Sequence, residues 1–577
     1  MKNIFRRVMG MLAVAFVAAT SLTMVACSEE EVAEPKRLAS PDVDVIYRSE
    51  SFDVTWKAVE GADGYVYSLN GAEEQTTTET SLKFAGLKFG SANTLKVKAV
   101  DSSKAFADSQ WSNVSLTLNT AFNLGQITLS VSDQTASSFV VSWNAAEGAE
   151  YYEVALGNGA AEKVTGLQKE FTGLAEGAYT VKVRPATTDA DYAEAAWVSI
   201  TAKTQETIAD TEAANCYLVE EAGAYAFTPF KGNSGEAVEG VAGAALLWQD
   251  AQGLITSVDF VDSKVTFAVA EGVYGNAVIY AYGDAGNETA LWSWHIWVPE
   301  QNVEALGSIT GFALMNMNLG ATTPAAGNVG CYGLYYQWGR KDPFASSPTL
   351  TGTTSTLHAQ LYDIDNEEID FPTSATQQSV EYSIANPAVY IRATKTYDDW
   401  CIESDSTLWG NGEGHIREEG TLNYNNMGVK SMYDPCPAGW RVPPIHATSN
   451  LTAATGIVFS YDQTSIVDRN GDGKVDKNDY NGGYYFKVSG TTVTYFPGAA
   501  RWDGTYGMLY GSIAGHVGNY WSNSVYVSTL ASQKDSKMAT AGVMFFSPTM
   551  AGNCYVSDNA GAARADAYSI RCVADLE

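Results

Sequence analysis

The sequence reads as a mainly β chain of several domains. Three observations carry that reading. Glycine (52), tyrosine (32) and tryptophan (14) are plentiful, while apolar residues rarely recur at helical spacing. Short runs alternate apolar and polar residues, the period of a strand with one buried face, and turn residues separate them about every 8–12 positions. One such run occurs twice, at an offset of 87 residues. With 577 residues there is room for about three to five domains, and 45% hydrophobic content is far from the disordered regime.

The chain opens with Lys2, Arg6 and Arg7, then an apolar run from Met9 to Ala19. The run is too short to span a bilayer and small residues follow it, so residues 1–26 read as a signal peptide. Met24-Val25-Ala26-Cys27 resembles a bacterial lipobox, with Met where Leu is usual. The resemblance implies lipid on the Cys27 sulfur and on the new amino terminus. Several acyl chains at roughly 0.8 kcal/mol per buried CH₂ make such an anchor permanent. Ser28-Glu29-Glu30-Glu31 is similar to the acidic export tag of Bacteroidetes lipoproteins shown on the outer face of the outer membrane. Residues 27–40 are then a lipidated acidic tether. The expected location is the outer membrane, lipid-anchored and facing the extracellular side.

The repeat sets Val54-Thr55-Trp56-Lys57-Ala58-Val59-Glu60-Gly61-Ala62 against Val141-Ser142-Trp143-Asn144-Ala145-Ala146-Glu147-Gly148-Ala149. Leu87 and Gly90 lie as far from Trp56 as Leu174 and Gly177 do from Trp143. Further on, Thr94–Lys98 aligns with Tyr179–Val183. Both copies resemble fibronectin type III domains, placed at 41–119 and 120–204. That resemblance implies tandem Ig-like β-sandwiches with Trp56 and Trp143 buried on the second strand. It puts Tyr179 near a tyrosine corner and Leu95 near that place in the first copy. Their expected role is a spacer.

Residues 205–300 form a third β-rich unit, with Asn215-Cys216-Tyr217, Gly223-Ala224-Tyr225-Ala226-Phe227 and Leu246-Leu247-Trp248-Gln249. The series is similar to a module of Bacteroidetes surface proteins, including fimbrillin-like ones. In its last run Trp292, Trp294, Ile296 and Val298 share one strand face, and Ser293, His295 and Trp297 the other. These indoles either stack on sugar rings or belong to a strand buried on both sides, their N–H groups satisfied internally.

In residues 301–577 four motifs stand out: Met317-Asn318-Leu319-Gly320, Cys331 to Arg340, Asp434 to Pro443, and Tyr520-Trp521-Ser522-Asn523. The chain then closes on Tyr568-Ser569-Ile570-Arg571-Cys572-Val573. In this order they resemble the Fibrobacter succinogenes major paralogous domain. That family implies an α+β C-type lectin-like fold whose first and last strands meet, with residues 345–430 as an insertion. Arg340, Arg441 and Arg571 read as partly buried guanidinium groups bonding loop carbonyls. Beyond Cys27, six cysteines allow 15 disulfide connectivities, and five of the six follow residue 330. Closure of the resembled fold implies Cys436 with Cys572.

Asp468 to Asp479 fits the twelve-position calcium loop of EF-hands and dockerins. Asp468, Asn470 and Asp472 supply alternate oxygens, Lys474 its carbonyl, Asp476 a ligand through water, and Asp479 the last position. Gly473 permits the turn. A Ca²⁺ ion here would be structural, clamping a loop. The flank Tyr480–Phe486 looks like a turn into a strand, and no second copy exists, so a dockerin role is not expected.

Catalytic patterns are missing from the sequence. The histidines (His295, His358, His415, His446, His516) are scattered, and there is no His-Glu-x-x-His, Gly-x-Ser-x-Gly or P-loop. The formal charge of −31, or −34 once residues 1–26 are gone, repels nucleic acid. The expectation is a surface lipoprotein, not an enzyme, that binds a glycan or a host-surface protein through residues 301–577. Its alternatives are a structural or tip component of a fimbria-like appendage, and an unrecognised polysaccharide hydrolase.

Overall fold

A computed structural model describes residues 36–47, 51–85, 92–117, 122–189, 192–284, 286–307, 312–352, 357–394, 399–410, 428–444, 447, 467–473, 477–489, 492–526, 540–547 and 555–575. The signal peptide, Cys27 and the acidic tag lie outside them. One compact unit comprises Met1–Gln126 with Ala146–Tyr151 and Pro185–Ala196; the other comprises Ile127–Ala145, Tyr152–Arg184 and Trp197–Glu577. The architecture is mainly β with antiparallel sheets. Among the described residues one α-helix is longer than a single residue, α1 (Val380–Ala385), so the helical share expected of the last region is small there.

The first sandwich uses β1 (Val43–Tyr47), β2 (Ser51–Trp56), β3 (Gly64–Leu69), β4 (Gln75–Thr77), β5 (Ser81–Ala85), β6 (Ala92–Val100) and β7 (Ser112–Thr117). Its sheets run β1-β2-β5 and β4-β3-β6-β7. Alternation places Phe52, Val54 and Trp56 of β2 against Leu95, Val97 and Ala99 of β6, and Trp56 meets Tyr65 edge-on at 5.2 Å. The second sandwich repeats this order with β8 (Leu129–Thr135), β9 (Ser138–Trp143), β10 (Tyr151–Leu156), β11 (Glu162–Val164), β12 (Gln168–Thr172), β13 (Ala178–Ala186) and β14 (Val198–Lys203). Phe139, Val141 and Trp143 are buried, and Trp143 packs on Tyr152 at 5.3 Å.

The tyrosine corner is present in the second copy, where the Tyr179 hydroxyl donates to the Ala175 carbonyl at 2.8 Å. The alignment of the two copies there is corrected by one residue. Burial matches Leu95 and Val97 with Val181 and Val183, so Asn93, not Leu95 or Thr94, stands in the place of Tyr179. Asn93 is buried and accepts a hydrogen bond from Asn70 Nδ2 at 2.7 Å. Asn70, in the left-handed region at φ 54°, also accepts from the Thr94 amide. The amide pair ties β6 to the turn after β3, whereas the phenol ties β13 to the loop just before it. Leu87 and Gly90 lie outside the described residues.

Beyond the sandwiches come β15 (Glu206–Thr207), β16 (Cys216–Leu218), β17 (Gly223–Phe227), β18 (Gly243–Gln249), β19 (Ile255–Val261), β20 (Lys264–Val269), β21 (Gly275–Asp284) and β22 (Asn287–Val298). One sheet is β15-β17-β20-β19. The other, β16-β22-β21-β18, continues into β24 (Leu361–Tyr362) and β25 (Glu368–Ile369), after β23 (Tyr335–Gln337). The expected insertion therefore adds strands to a sheet begun before residue 300. Cys216, Trp248, Val278 and Trp297 share one core with Met315, Tyr336, Trp338, Trp409, Trp521 and Cys572. The core is continuous across residue 300.

The remaining strands are β26 (Thr373–Ser374), β27 (Tyr390–Ile391), β28 (Trp440–Arg441), β29 (Gly483–Ser489), β30 (Thr492–Pro497), β31 (Trp502–Asp503), β32 (Met508–Leu509), β33 (Gly518–Tyr526), β34 (Thr540–Ser547), β35 (Tyr555–Ala563), β36 (Ala567–Ser569) and β37 (Val573–Ala574). The two ends of this region meet. Met315 donates its amide to the Cys572 carbonyl and Leu319 to that of Ile570, both at 2.9 Å, and β28 pairs with β37. The Cys436–Cys572 disulfide closes the same seam, while Cys216, Cys331 and Cys401 are buried free thiols.

The four motifs interlock in this core. Trp338 Nε1 donates to the Ser522 carbonyl at 2.8 Å, and Trp521 Nε1 to that of Tyr336 at 2.7 Å. Arg340 and Arg441 are fully buried rather than partly so, and so is Arg571. Arg571 donates to Asn318 Oδ1, to Thr494 Oγ1 and to the carbonyls of Met315, Asn316 and Tyr495. Arg340 reaches the carbonyls of Val389 and Pro387, and Arg441 that of Gly428. Buried guanidinium groups persist because loops leave carbonyls without ladder partners, and five donors in one plane serve several at once.

Candidate functional site

The tryptophan strand β22 is interior on both faces. Trp292, Trp294 and Ile296 enter the core of the third unit, and Trp297 enters the core shared with the last region. Each indole N–H has an internal acceptor: Asn215 Oδ1 for Trp292, the Phe230 carbonyl for Trp294 and the Ala321 carbonyl for Trp297, at 2.8–3.0 Å. These rings are not open to a sugar.

Of the described histidines, His295 and His358 are engaged inside the protein and His516 is exposed. His295 is buried; its Nε2 faces Asn276 Oδ1 at 2.9 Å, and burial pushes its pKa down to about 3. Asn276 donates to Asp250 Oδ2 and to the Gly320 carbonyl, so its oxygen must accept and His295 Nε2 must donate. Both nitrogens of His358 are occupied, by the Ala359 carbonyl and Asp370 Oδ1, each at 2.6 Å. His516 is exposed, and His415 and His446 lie outside the described residues. Among the described residues, no three His, Cys, Asp or Glu side chains converge as a metal site would require.

The expected calcium loop is held by its own amides. Asp468 accepts from Gly471 and Gly473 at 2.7 and 2.8 Å, and Asn470 Oδ1 accepts from Asp472 at 2.9 Å. Asp479, 0% exposed, accepts from the amides of Arg469 and Asn470. Gly473 has φ 82°, a conformation that glycine adopts without strain. The flank turns into β29 as expected, and the Val467 amide pairs with the Tyr485 carbonyl. The donors are all oxygens, which suits a hard cation. Lys474 and Asp476 lie outside the described residues, and the remaining carboxylates are not gathered on one point.

The hairpin β31–β32 carries a feature that the sequence reading missed. Trp502 and Leu509 pair across it and point inward. Trp502 stacks on Tyr390 at 5.0 Å and on His358 at 5.3 Å, and its Nε1 donates to the Ala345 carbonyl. Alternation puts Arg501, Asp503, Met508 and Tyr510 on the outer face, and Tyr506 sits in the turn. Tyr506 is 63% exposed, Tyr510 46% and Met508 37%. The turn is pinned from three sides. Asp503 Oδ1 accepts from the amides of Thr505 and Tyr506, Asp566 Oδ1 from that of Gly504, and Arg392 Nε donates to the Thr505 carbonyl. The Arg501 guanidinium lies over the Tyr510 ring at 5.7 Å, 3.4 Å from Asp566 and 3.9 Å from Asp503. Burial pushes the Asp566 carboxyl up, and Arg501 pulls it back. The signal was available in Arg501-Trp502-Asp503-Gly504-Thr505-Tyr506-Gly507-Met508-Leu509-Tyr510: two alternating arms around a glycine-flanked turn, with rings on the polar arm.

A crevice of about 1010 Å³ also runs between β8, β14 and the sheet of β17, β19 and β20. Serine, threonine, glutamine and glutamate line it, and a Lys203–Glu221 ion pair lies at its wall. Of its lining rings Phe267 is buried and Tyr274 exposed, against two exposed rings on the hairpin, so it is the weaker candidate.

No family model matches the chain, and no curated protein does. Among solved structures, it is similar to a two-domain fibronectin type III segment of chicken tenascin, with 21% identity over 29% of this chain and 99% of that one, at a TM-score of 0.15. It is also similar to the FN1–FN3 domains of chicken CNTN1, with 17% identity over 30% and 66% of the two chains (TM-score 0.17). A third is the central fibronectin III array of RIM-binding protein, with 17% identity over 43% and 94% (TM-score 0.14).

Proposed function

We propose that this chain is a lipid-anchored outer-membrane protein that binds a glycan or host-surface ligand through its C-terminal region, with the two sandwiches as a spacer. The observation that carries this reading is the outer face of the β31–β32 hairpin. Large apolar side chains are exposed there on a turn held by three separate elements, in a body with a continuous core and a disulfide. Side chains carried on a backbone already held in place lose less entropy when a ligand settles on them, which is how a binding surface gains affinity. The resemblance to the Fibrobacter succinogenes major paralogous domain, and through it to C-type lectin-like folds, points to the same region. The signal peptide, the lipobox at Cys27 and the glutamates after it supply the anchor and the outward address. A calcium ion on Asp468, Asn470, Asp472, the Lys474 carbonyl, Asp476 and Asp479 would clamp the loop leading into β29, a structural role without chemistry.

The test has two parts. Cys27→Ala abolishes acylation and releases the protein from membranes. Changing Glu29, Glu30 and Glu31 to Ala keeps acylation but hides the protein from external protease; full protease access in that variant overturns the surface address. Binding is read by applying the Cys27→Ala chain to glycan and matrix-protein arrays, and silence on both overturns the binding reading. Co-purification with a polymer of identical chains would favour the appendage alternative, for which β19, the last strand of its sheet among the described residues, offers an edge.

A further inference from the structure

We infer that the outer face of the β31–β32 hairpin takes neutral pyranoside glycans, and that it rejects polyanionic ones. The inference rests on the binding reading above and names its surface and its ligand class.

Three properties of the face lead there. The first is shape. Tyr506, Met508 and Tyr510 offer flat or pliable apolar surface, and a pyranose ring has an apolar C–H face of matching size. Aromatic side chains lose few rotamers when such a face covers them. The second is the polar border. A sugar ring is rimmed by hydroxyls that both donate and accept. Beside Tyr510 stand Arg501 and Asp503, both partly exposed, which also do both, while the mostly buried Asp566, already accepting from Gly504 and Tyr568, anchors the guanidinium. A guanidinium clamped between carboxylates is fixed in position before any ligand arrives.

The third property is charge, and it separates neutral sugars from sulfated or uronate-rich ones. Two carboxylates already neutralise Arg501, and their sum with it is negative. An anionic ligand would have to break these pairs and approach a protein whose formal charge is −31. A neutral ligand does neither. Contact through rings and hydrogen bonds is also insensitive to ionic strength, whereas capture of a polyanion is screened by salt.

The experiment applies the full Cys27→Ala chain to an array holding neutral, sialylated and sulfated glycans together with matrix proteins. It is repeated with Tyr506→Ala/Tyr510→Ala, whose melting curve and thiol count confirm that the fold persists. The expected result is binding to neutral glycans. It weakens at least about tenfold in the double variant and less than about twofold between ~0.05 M and ~0.5 M salt. Tyr506→Phe/Tyr510→Phe, which keeps the rings, retains most of the binding. Neutral-glycan binding that survives loss of both rings overturns the assignment of the face but leaves the binding reading intact. Binding confined to sulfated or sialylated glycans overturns the ligand class. Capture of a matrix protein that depends on the two tyrosines, without glycan binding, overturns the glycan assignment and keeps a binding protein. Silence throughout overturns both.

Discussion

Breaking the Cys436–Cys572 bridge tests how the C-terminal body holds together. The two residues are 136 apart in sequence, and both are buried at the seam where β28 meets β37. Cross-linking a loop of that length removes chain entropy from the unfolded state worth about 5 kcal/mol at 25 °C, and native bridges typically deliver about 2–5 kcal/mol of it. Cys436→Ala/Cys572→Ala also deletes two packed sulfurs, a smaller loss in the same direction. With a urea slope near ~3 kcal/mol/M, the upper end for small domains and suited to a large unit, the midpoint falls by roughly 0.7–1.7 M. The loop encloses both residues 468–479 and the 501–510 hairpin, so fluorescence from Trp502 and proteolysis near Tyr506 should report the loss together. Thiol titration of the Cys27→Ala chain provides the control. In native protein Cys216, Cys331 and Cys401 are buried and should not react, and denatured, unreduced protein shows four thiols, these three and Cys554. Six thiols, or a midpoint lowered by less than about 0.3 M, would refute the reasoning.

Three other outcomes follow from the same structure. His295 is held neutral by burial, with a folded pKa of about 3 below its unfolded 6.5. Its contribution is therefore full above pH 6.5 and lost as pH falls toward 3, at up to about 1.4 kcal/mol per pH unit. Asp250, across Asn276, is pushed up to about 6 by burial and acts in the opposite sense, gaining stability as pH falls from 6 toward 3.8. His295→Gln isolates the first effect: the stability gap between parent and variant should narrow from pH 7 to pH 5 in urea melts, and parallel curves would contradict it. Arg571→Met should cost at least about 3 kcal/mol, because five acceptors lose their donors inside the core; a loss under about 1 kcal/mol in denaturant melts would mean that water replaces them. Calcium at a hundredfold excess over Kd should raise stability by roughly 2.7 kcal/mol, an effect absent in Asp468→Ala/Asp472→Ala; a melting curve unchanged between calcium and chelator, with no heat in calorimetry, would leave an acidic turn.

The sandwiches were legible because their strands are amphipathic, so Phe52, Val54 and Trp56 announce an inner face by alternation alone. The two-sided face pattern of β22 was legible for the same reason. Its burial was not, because a continuous apolar run looks alike on a surface and in a core, and only the acceptors Asn215, Phe230 and Ala321 decide between them. The register that puts Asn93 in the place of Tyr179 was legible, since it pairs Thr94 with Thr180, Lys96 with Lys182 and Val97 with Val183, whereas setting Thr94 against Tyr179 pairs no identical residues; burial along the strand period settles it. The continuous core across residue 300 was hidden because its contacts join residues such as Trp297 and Trp521, far apart in sequence and linked by no local pattern. The candidate face at 501–510 was overlooked for a different reason. This surface is made of ordinary residues whose exposure depends on Trp502 and Leu509 taking the inside.

The meeting of residues 313–319 with residues 570–574 sets a timetable for the chain. Each sandwich draws its contacts from a short window and can finish as soon as that window has been made. The body beyond cannot. Until Cys572 and Val573 arrive, Met315 has no carbonyl to bind, β28 has no partner, and Trp297 has only part of its enclosure. Pairings of such long range form late, since the intervening chain must be closed before they return anything. Chains emerge amino terminus first. A growing copy thus carries two finished sandwiches ahead of a long apolar stretch still waiting for its last few residues, and that interval is when chaperones and proteases have access to it.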